Sequence, residues 1–130
     1  MALTLSIATT TRSEMIDITS KIEEELKKSG LKDGVCFLFV PHTTAGITIN
    51  ESADPSVVTD ILTMLNKLIP WEGSYRHLEG NSAAHIKSSL IGNSAMIFVE
   101  SGHLKLGTWQ GIFFCEFDGP RSRNLYIKFL

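Results

Sequence analysis

Six consecutive apolar side chains, Val35 to Val40, restrict the fold of this chain more than any other segment. The run has the length of a strand and falls far short of the about 20 apolar residues of a membrane-spanning helix. It carries no polar side chain on either face, which predicts a strand covered on both sides inside a layered domain. A chain of 130 residues fits one domain spanning 1–130, and folding at that size buries roughly 65–70% of the unfolded surface. Hydrophobic residues at 43% and charged residues at 20% are ordinary for a globular protein in water.

Around that strand the pattern alternates between strand and helix periods. Leu3, Leu5 and Ile7 alternate with Thr4, Ser6 and Ala8, as in a half-buried strand. Glu14 to Ile18 reads as a short extended piece leading into a first helix. Ser20 and Glu23 have capping-box spacing there, Glu23/Lys27 and Glu24/Lys28 are i,i+4 pairs, and Gly30 is the stop. After a turn at Pro41 to Gly46, Ile47 to Asn50 predicts another strand. Asp54-Pro55 caps a second helix whose stripe is Val57, Val58, Ile61, Leu62, Leu65, Leu68 and Ile69. Residues 70–80 read as a loop, and Ser82 to Ile91 as a short helix ended by Gly92. Strands follow at Ala95 to Glu100, Thr108 to Phe117 and Leu125 to Phe129, the last two joined by a turn at Asp118-Gly119-Pro120. The mixture without strict alternation predicts an α+β fold of mostly antiparallel sheets with two or three helices.

Charge and cysteine usage narrow the partners. Twelve basic and fourteen acidic side chains give a net charge of -2, which excludes the basic excess of a broad nucleic-acid footprint but leaves room for a local anion pocket. The start of the chain alternates apolar and polar residues, unlike a signal peptide, and no segment is long enough to span a membrane. Cys36 and Cys115 sit in hydrophobic stretches without CxxC spacing and read as reduced core thiols. The expected compartment is therefore cytoplasmic.

Four segments hold the chemistry. In Pro41 to Glu51, at the end of the apolar strand, His42, Thr44, Thr48 and Asn50 share a face if the backbone stays extended. Local satisfaction of the turn is the equal alternative. In His77 to His85, two histidines flank a helix N-terminus, where neutral imidazoles suit a metal and free N–H groups suit an anion. His85 is expected on a polar side with Ser88 and Ser89, away from Ala83, Ile86 and Leu90, and Asn81 is a candidate cap. Their spacing matches no metalloprotease or zinc-finger pattern, so surface or capping histidines remain open. In Gly107 to Glu116, Gln110 and Glu116 share a face with Ile112 and Phe114. A carboxylate in that company needs a cation, a metal or a hydrogen-bond network, unless the face meets solvent or another subunit. In Asp118 to Arg123, two arginines beside a turn suit bidentate phosphate binding, or are simply solvated.

As an ordered set, Pro41-His42-Thr43-Thr44-Ala45, Asn50-Glu51, Glu79-Gly80-Asn81-Ser82 with His85, Gly107-Thr108-Trp109-Gln110, and Asp118-Gly119-Pro120-Arg121 with Arg123 resemble the signature blocks of the YjbQ-like family. The resemblance runs over essentially the whole chain. It implies a homotrimer with pockets near subunit boundaries and a weak thiamine-phosphate synthase activity on small phosphorylated ligands. In that reaction a thiazole phosphate displaces diphosphate from a pyrimidine diphosphate. It carries His42, Glu51 and Glu116 into the site as catalytic candidates, and Thr44, Asn81, Trp109, Gln110 and Arg121 as substrate-binding candidates. A divalent metal ion is implied as well: magnesium for catalysis, or a transition metal such as zinc on His42, His77 and His85. The alternatives are a non-catalytic small-ligand or metal-binding trimer and, third, a metal-dependent hydrolase.

Overall fold

The structure is a computed structural model that describes residues 2–130, so the first residue of the expected 1–130 domain lies outside it. Eight strands and three helices follow in the order β1 (Leu3–Ala8), β2 (Glu14–Asp17), α1 (Thr19–Ser29), β3 (Gly34–Phe39), β4 (Ala45–Glu51), α2 (Pro55–Leu68), α3 (Ser82–Ile91), β5 (Ser94–Glu100), β6 (His103–Leu104), β7 (Gln110–Glu116) and β8 (Ser122–Phe129). All described pairings are antiparallel. They form an outer sheet in the order β1-β8-β3-β5-β6 and an inner sheet in the order β2-β7-β4. This is the α+β fold expected; β6 is an addition to the strands read from sequence.

The main core lies between the sheets. Ile7, Cys36, Leu38, Ile97, Leu125 and Ile127 of the outer sheet meet Ile47, Ile112 and Phe114 of the inner one, with Ile22 and Leu26 of α1 closing the gap. A second cluster lies on the far side of the inner sheet, where Met15, Phe113, Cys115 and Phe117 receive Ala84 of α3 and Val58, Ile61, Leu62 and Leu65 of α2. Consequently β7 is buried on both faces from Gly111 to Glu116. Both cysteines are free and buried, each thiol pushed up to about 12 by burial.

Two-sided burial was expected of Val35 to Val40, and within one chain only one face is covered. In β3 only Cys36 and Leu38 face the core, while Phe37 and Phe39 are 41% and 46% exposed. Their cross-strand partners Met96 and Tyr126 are exposed too, as is Phe98 opposite Val35, so the outer sheet presents an apolar face. Apolar side chains alone do not say which of two faces is covered.

Helix caps differ in the same instructive way. Asp54 accepts from Ser56 N at 2.9 Å with Pro55 beginning α2, as read from sequence. The N-cap of α1 is Ile18, which makes no side-chain cap, so the Ser20/Glu23 box is not used; Asp17, one residue further out, accepts from Thr19 N at 3.0 Å and from Thr19 Oγ1 at 2.6 Å. The ion pair on α1 is Glu25–Lys28 rather than the two i,i+4 pairs. Helix α3 turns the other way round from the expectation. Ala83, Ala84, Lys87 and Ser88 are buried, and Ile86 and Leu90 face outward. Small side chains let α3 lie close to β4: a Cβ on Gly46 would meet Gly92 O at 2.5 Å. Buried Lys87 donates to Asn66 Oδ1 of α2 at 2.5 Å, and burial, then the charge of Arg12, lowers its pKa.

Candidate functional site

At one end of the two sheets, the β3–β4 connection, the start of α3 and the β7–β8 turn converge on an open cleft of about 550 Å³. Its lining includes His42, Thr44, Asn81, His85 and Arg121, five of the residues singled out in the sequence, together with Glu79, Asp118 and Arg123. A second hollow of about 290 Å³ adjoins it, sharing His42, Thr43 and Asn93 and running over Ser88, Ser89 and Gly92. His42 thus stands where two lobes meet.

The floor is an ion pair. Glu116, fully buried, follows Ile112 and Phe114 on the inward face of β7, and Arg123 precedes Leu125 and Ile127 on the inward face of β8. Arg123 Nε donates to Glu116 Oε1 at 2.8 Å and Nη2 to Oε2 at 2.5 Å. Thr9 Oγ1 and the N–H groups of Phe117 and Asp118 complete the carboxylate's shell at 2.8, 3.0 and 3.0 Å. Burial on its own would raise the Glu116 pKa, but hydrogen bonds from Arg123, Asp118 N and Thr9, with the Arg123 charge, hold it below the ordinary value. Arg123 Nη2 also donates to Thr44 Oγ1 at 2.8 Å. Its Nη1 donates to no acceptor among the described residues, although the residue lines the cleft. Glu116, a catalytic candidate from the sequence, thus has both of its oxygens occupied by five hydrogen bonds.

The turn between these strands needs close backbone passage. A Cβ on Gly119 would collide with Thr11 O and lie 2.9 Å from Glu116 Cγ. That passage sets Arg121 at the rim, where Nε donates to Asp118 O at 2.9 Å and Nη2 meets Asp118 Oδ2 at 3.2 Å. Half-exposed, Arg121 keeps its charge available to a ligand.

His42 is neutral by construction. Its Nε2 accepts from Asn124 N at 2.9 Å, a bond only the unprotonated nitrogen can make. Burial first, then the Arg123 charge, lowers its pKa, with Glu116 opposing. The proton of the neutral ring then sits on Nδ1, so neither ring nitrogen is free to ligate a metal while that contact holds. His77 and His85 do come together, ring centroids 5.4 Å apart and nearly perpendicular, as an edge-to-face pair; among the described residues no group of three or more His, Cys, Asp or Glu is placed to hold a metal ion. His42 and His85 line the same cleft, and His77 stands against His85. Glu79 and Asp118 supply hard oxygen donors of the kind magnesium takes.

Three of the expected residues lie elsewhere. Glu51 pairs with Gln110 at one end of the β4/β7 ladder, and Ala45 pairs with Glu116 at the other. Six residue steps separate these ends, about 20 Å at about 3.3 Å per residue. Gln110 Oε1 accepts from Gly107 N at 2.8 Å, and Trp109 is exposed beside it. Within one chain Glu51, Trp109 and Gln110 do not reach the cleft. Arg123, read with Arg121 as a phosphate-binding arginine of the turn, faces inward with Leu125 and Ile127 and pairs with Glu116 while still lining the cleft, an orientation that its period-2 spacing could have signalled.

Residues 3–130 match the family model described as UPF0047 protein YjbQ-like. The chain belongs to this family. Among its YjbQ-like relatives, the UPF0047 protein YugU of Bacillus subtilis is 56% identical over 131 residues, covering 100% of this chain and 99% of that one. A crystal structure of an uncharacterized YjbQ/UPF0047 family protein from Clostridium acetobutylicum superposes with a TM-score of 0.96 at 53% identity, covering 98% and 99% of the two chains. The protein APE1520 of Aeropyrum pernix K1 gives a TM-score of 0.95 at 37% identity, covering 100% of this chain and 98% of that one. The YjbQ-like fold thus holds over essentially the whole described length.

Proposed function

We propose that the cleft binds small phosphorylated ligands and that this YjbQ-like chain is a thiamine-phosphate synthase of low activity, acting as a cytoplasmic homotrimer. The observation that carries this reading is the pair of adjoining lobes that share His42, one of them lined by Arg121 and Arg123. A reaction that joins two phosphorylated halves asks for two neighbouring lobes and for positive charge where diphosphate departs. The thiazole nitrogen forms a bond to the exocyclic carbon of the pyrimidine, and the bond from that carbon to the diphosphate oxygen breaks, its electron pair leaving with diphosphate. Arg121 and Arg123 Nη1 neutralise the leaving group, the Nδ1–H of His42 donates to it, and a magnesium ion on Glu79 and Asp118 would add further charge. The exposed apolar outer sheet supports assembly.

One observation favours a second reading, a trimer that binds such ligands without transforming them. Glu116, the carboxylate expected to face a developing cation, is enclosed by donors. The test is thiamine phosphate formation from the two phosphorylated halves with magnesium, followed by chromatography. Slow formation is expected, and Arg121→Ala should weaken binding of the diphosphate substrate by about 1.5–3 kcal/mol, the worth of a charged hydrogen bond. Tight binding of both substrates without product would overturn the synthase reading and leave the binding protein. An unchanged affinity in Arg121→Ala would remove Arg121 from the site.

A further inference from the structure

Helix α3 runs beside both lobes of the cleft, and its two ends are electrically unlike. Asn81 at its N-cap and His85 early in it line the larger lobe, together with Arg121 and Arg123. Ser88, Ser89 and the C-cap Gly92 line the smaller lobe. Aligned peptide dipoles make the N-terminal end of a helix partially positive and the C-terminal end partially negative. The larger lobe therefore adds the positive end to its two arginines. The smaller lobe meets the opposite end, and among the described residues its lining holds no Lys, Arg, Asp or Glu.

The serine hydroxyls give the smaller lobe the same sense. Ser88 Oγ donates to Thr43 O at 2.5 Å and lies 3.1 Å from His85 O, while Ser89 Oγ donates to His85 O at 2.8 Å. Each hydroxyl has a single hydrogen, and here it is turned to the backbone. What the serines can offer a ligand is therefore the lone pairs of their oxygens. Ser89 and Asn93 are exposed, so the lobe is open to solvent.

We propose that the smaller lobe is a subsite for an amine-like N–H group, held at the C-terminal end of α3 while the phosphate of the same ligand lies in the larger lobe. Eight residue steps separate Asn81 from Ser89, about 12 Å at about 1.5 Å per helical residue. The cleft thus selects phosphate esters whose amino group is on the order of 10 Å from the phosphate, over short amino esters and over esters with a plain alkyl chain. This inference rests on the phosphate-binding reading above, adds a second recognition point to it, and leaves Glu79 and Asp118 to the metal ion.

The experiment compares two pairs of esters by isothermal titration calorimetry with magnesium present. The long pair is 6-aminohexyl phosphate and hexyl phosphate, and the short pair is 2-aminoethyl phosphate and ethyl phosphate. The proteins are the unmodified chain, Ser89→Lys and Ser89→Glu, with circular dichroism to check that both variants are folded. In the unmodified protein the long amino ester is expected to bind at least about threefold tighter than its alkyl partner, the combined worth of a helix terminus and a hydrogen bond. The short pair should show no such difference. Ser89→Lys should abolish the long-chain preference and Ser89→Glu should enlarge it. NMR gives a readout without mutation: the backbone amide signals of Ser89, Gly92 and Asn93 should shift with 6-aminohexyl phosphate and stay in place with ethyl phosphate. Equal binding of the long pair, or unshifted signals, overturns the inference and leaves the phosphate site standing. A preference as large in the short pair assigns the amine to Glu79 and Asp118 and also overturns it, as does a preference that neither folded variant changes. If none of the esters binds, the phosphate-binding reading falls, and this inference with it.

Discussion

Glu116 and Arg123 form a pair whose two charges are 0% and 3% exposed at the side chain. Removing one partner of such a pair leaves the other buried and alone, which costs about 3–5 kcal/mol. Glu116→Ala is expected to lower stability by that amount in urea unfolding, whereas replacing both residues by apolar ones should recover much of the loss. Acid should act through the same carboxylate. Its folded pKa lies below the ordinary 4.5, so the unfolded chain takes up the proton first. The stabilisation is complete above 4.5 and disappears as pH falls through the folded value. His42 acts at higher pH. Its folded pKa lies below 6.5, the unfolded ring protonates first, and stability declines as pH drops below 6.5 until the folded ring is protonated too. His42→Gln retains an acceptor for Asn124 N and cannot titrate, so its stability should be flat across that window in melts at stepped pH.

At the scale of elements, the start of α1 separates two explanations of one helix. The Asp17 carboxylate, just outside the N-cap Ile18, holds Thr19 N and Oγ1, so Asp17→Ala is expected to cost up to about 1 kcal/mol and Ser20→Ala little. Thermal melts of the two variants decide it, and the reverse ranking would restore the capping box. The sequence pointed to Ser20 because its residue type and the Glu23 spacing suit a cap, but the helix begins one residue earlier, at Thr19, which places Ser20 inside the first turn. α2 was legible because Asp54-Pro55 and a long apolar stripe agree. α3 was not. Its Ala83 and Ala84 have little hydrophobic weight, while Ile86 and Leu90 have much, yet close approach to β4 favours the smaller side chains. The cleft was half legible for a related reason. His42, Asn81 and Arg121 sit on connections where polar residues stand out, whereas Arg123 is hidden in a strand and Glu51, Trp109 and Gln110 were grouped by motif rather than by distance.

For the whole molecule, the open question of β3 becomes a prediction. Phe37, Phe39, Met96, Phe98 and Tyr126 form a continuous exposed surface across three strands. Covering it by further copies of the chain would give β3 the second buried face that its composition suggested. Light scattering at micromolar concentration is expected to report three times the mass of one chain, and Phe37→Lys with Phe98→Lys to reduce it to one; a monomer in the unmodified protein would refute the trimer.

The pairing of β1 with β8 carries a consequence for biosynthesis. Leu3 to Ala8 finds its partners at Ser122 to Ile127, and β8 in turn separates β1 from β3. While the ribosome is still making the middle of the chain, β1 has no strand to join, and the outer sheet lacks the element that links its two parts. Contacts so distant along the chain form slowly because a long loop must close before they contribute. Nascent chains lacking β8 would expose the inner sides of β1 and β3 as well as the aromatic surface, which makes late synthesis the stage at which this fold most depends on chaperones.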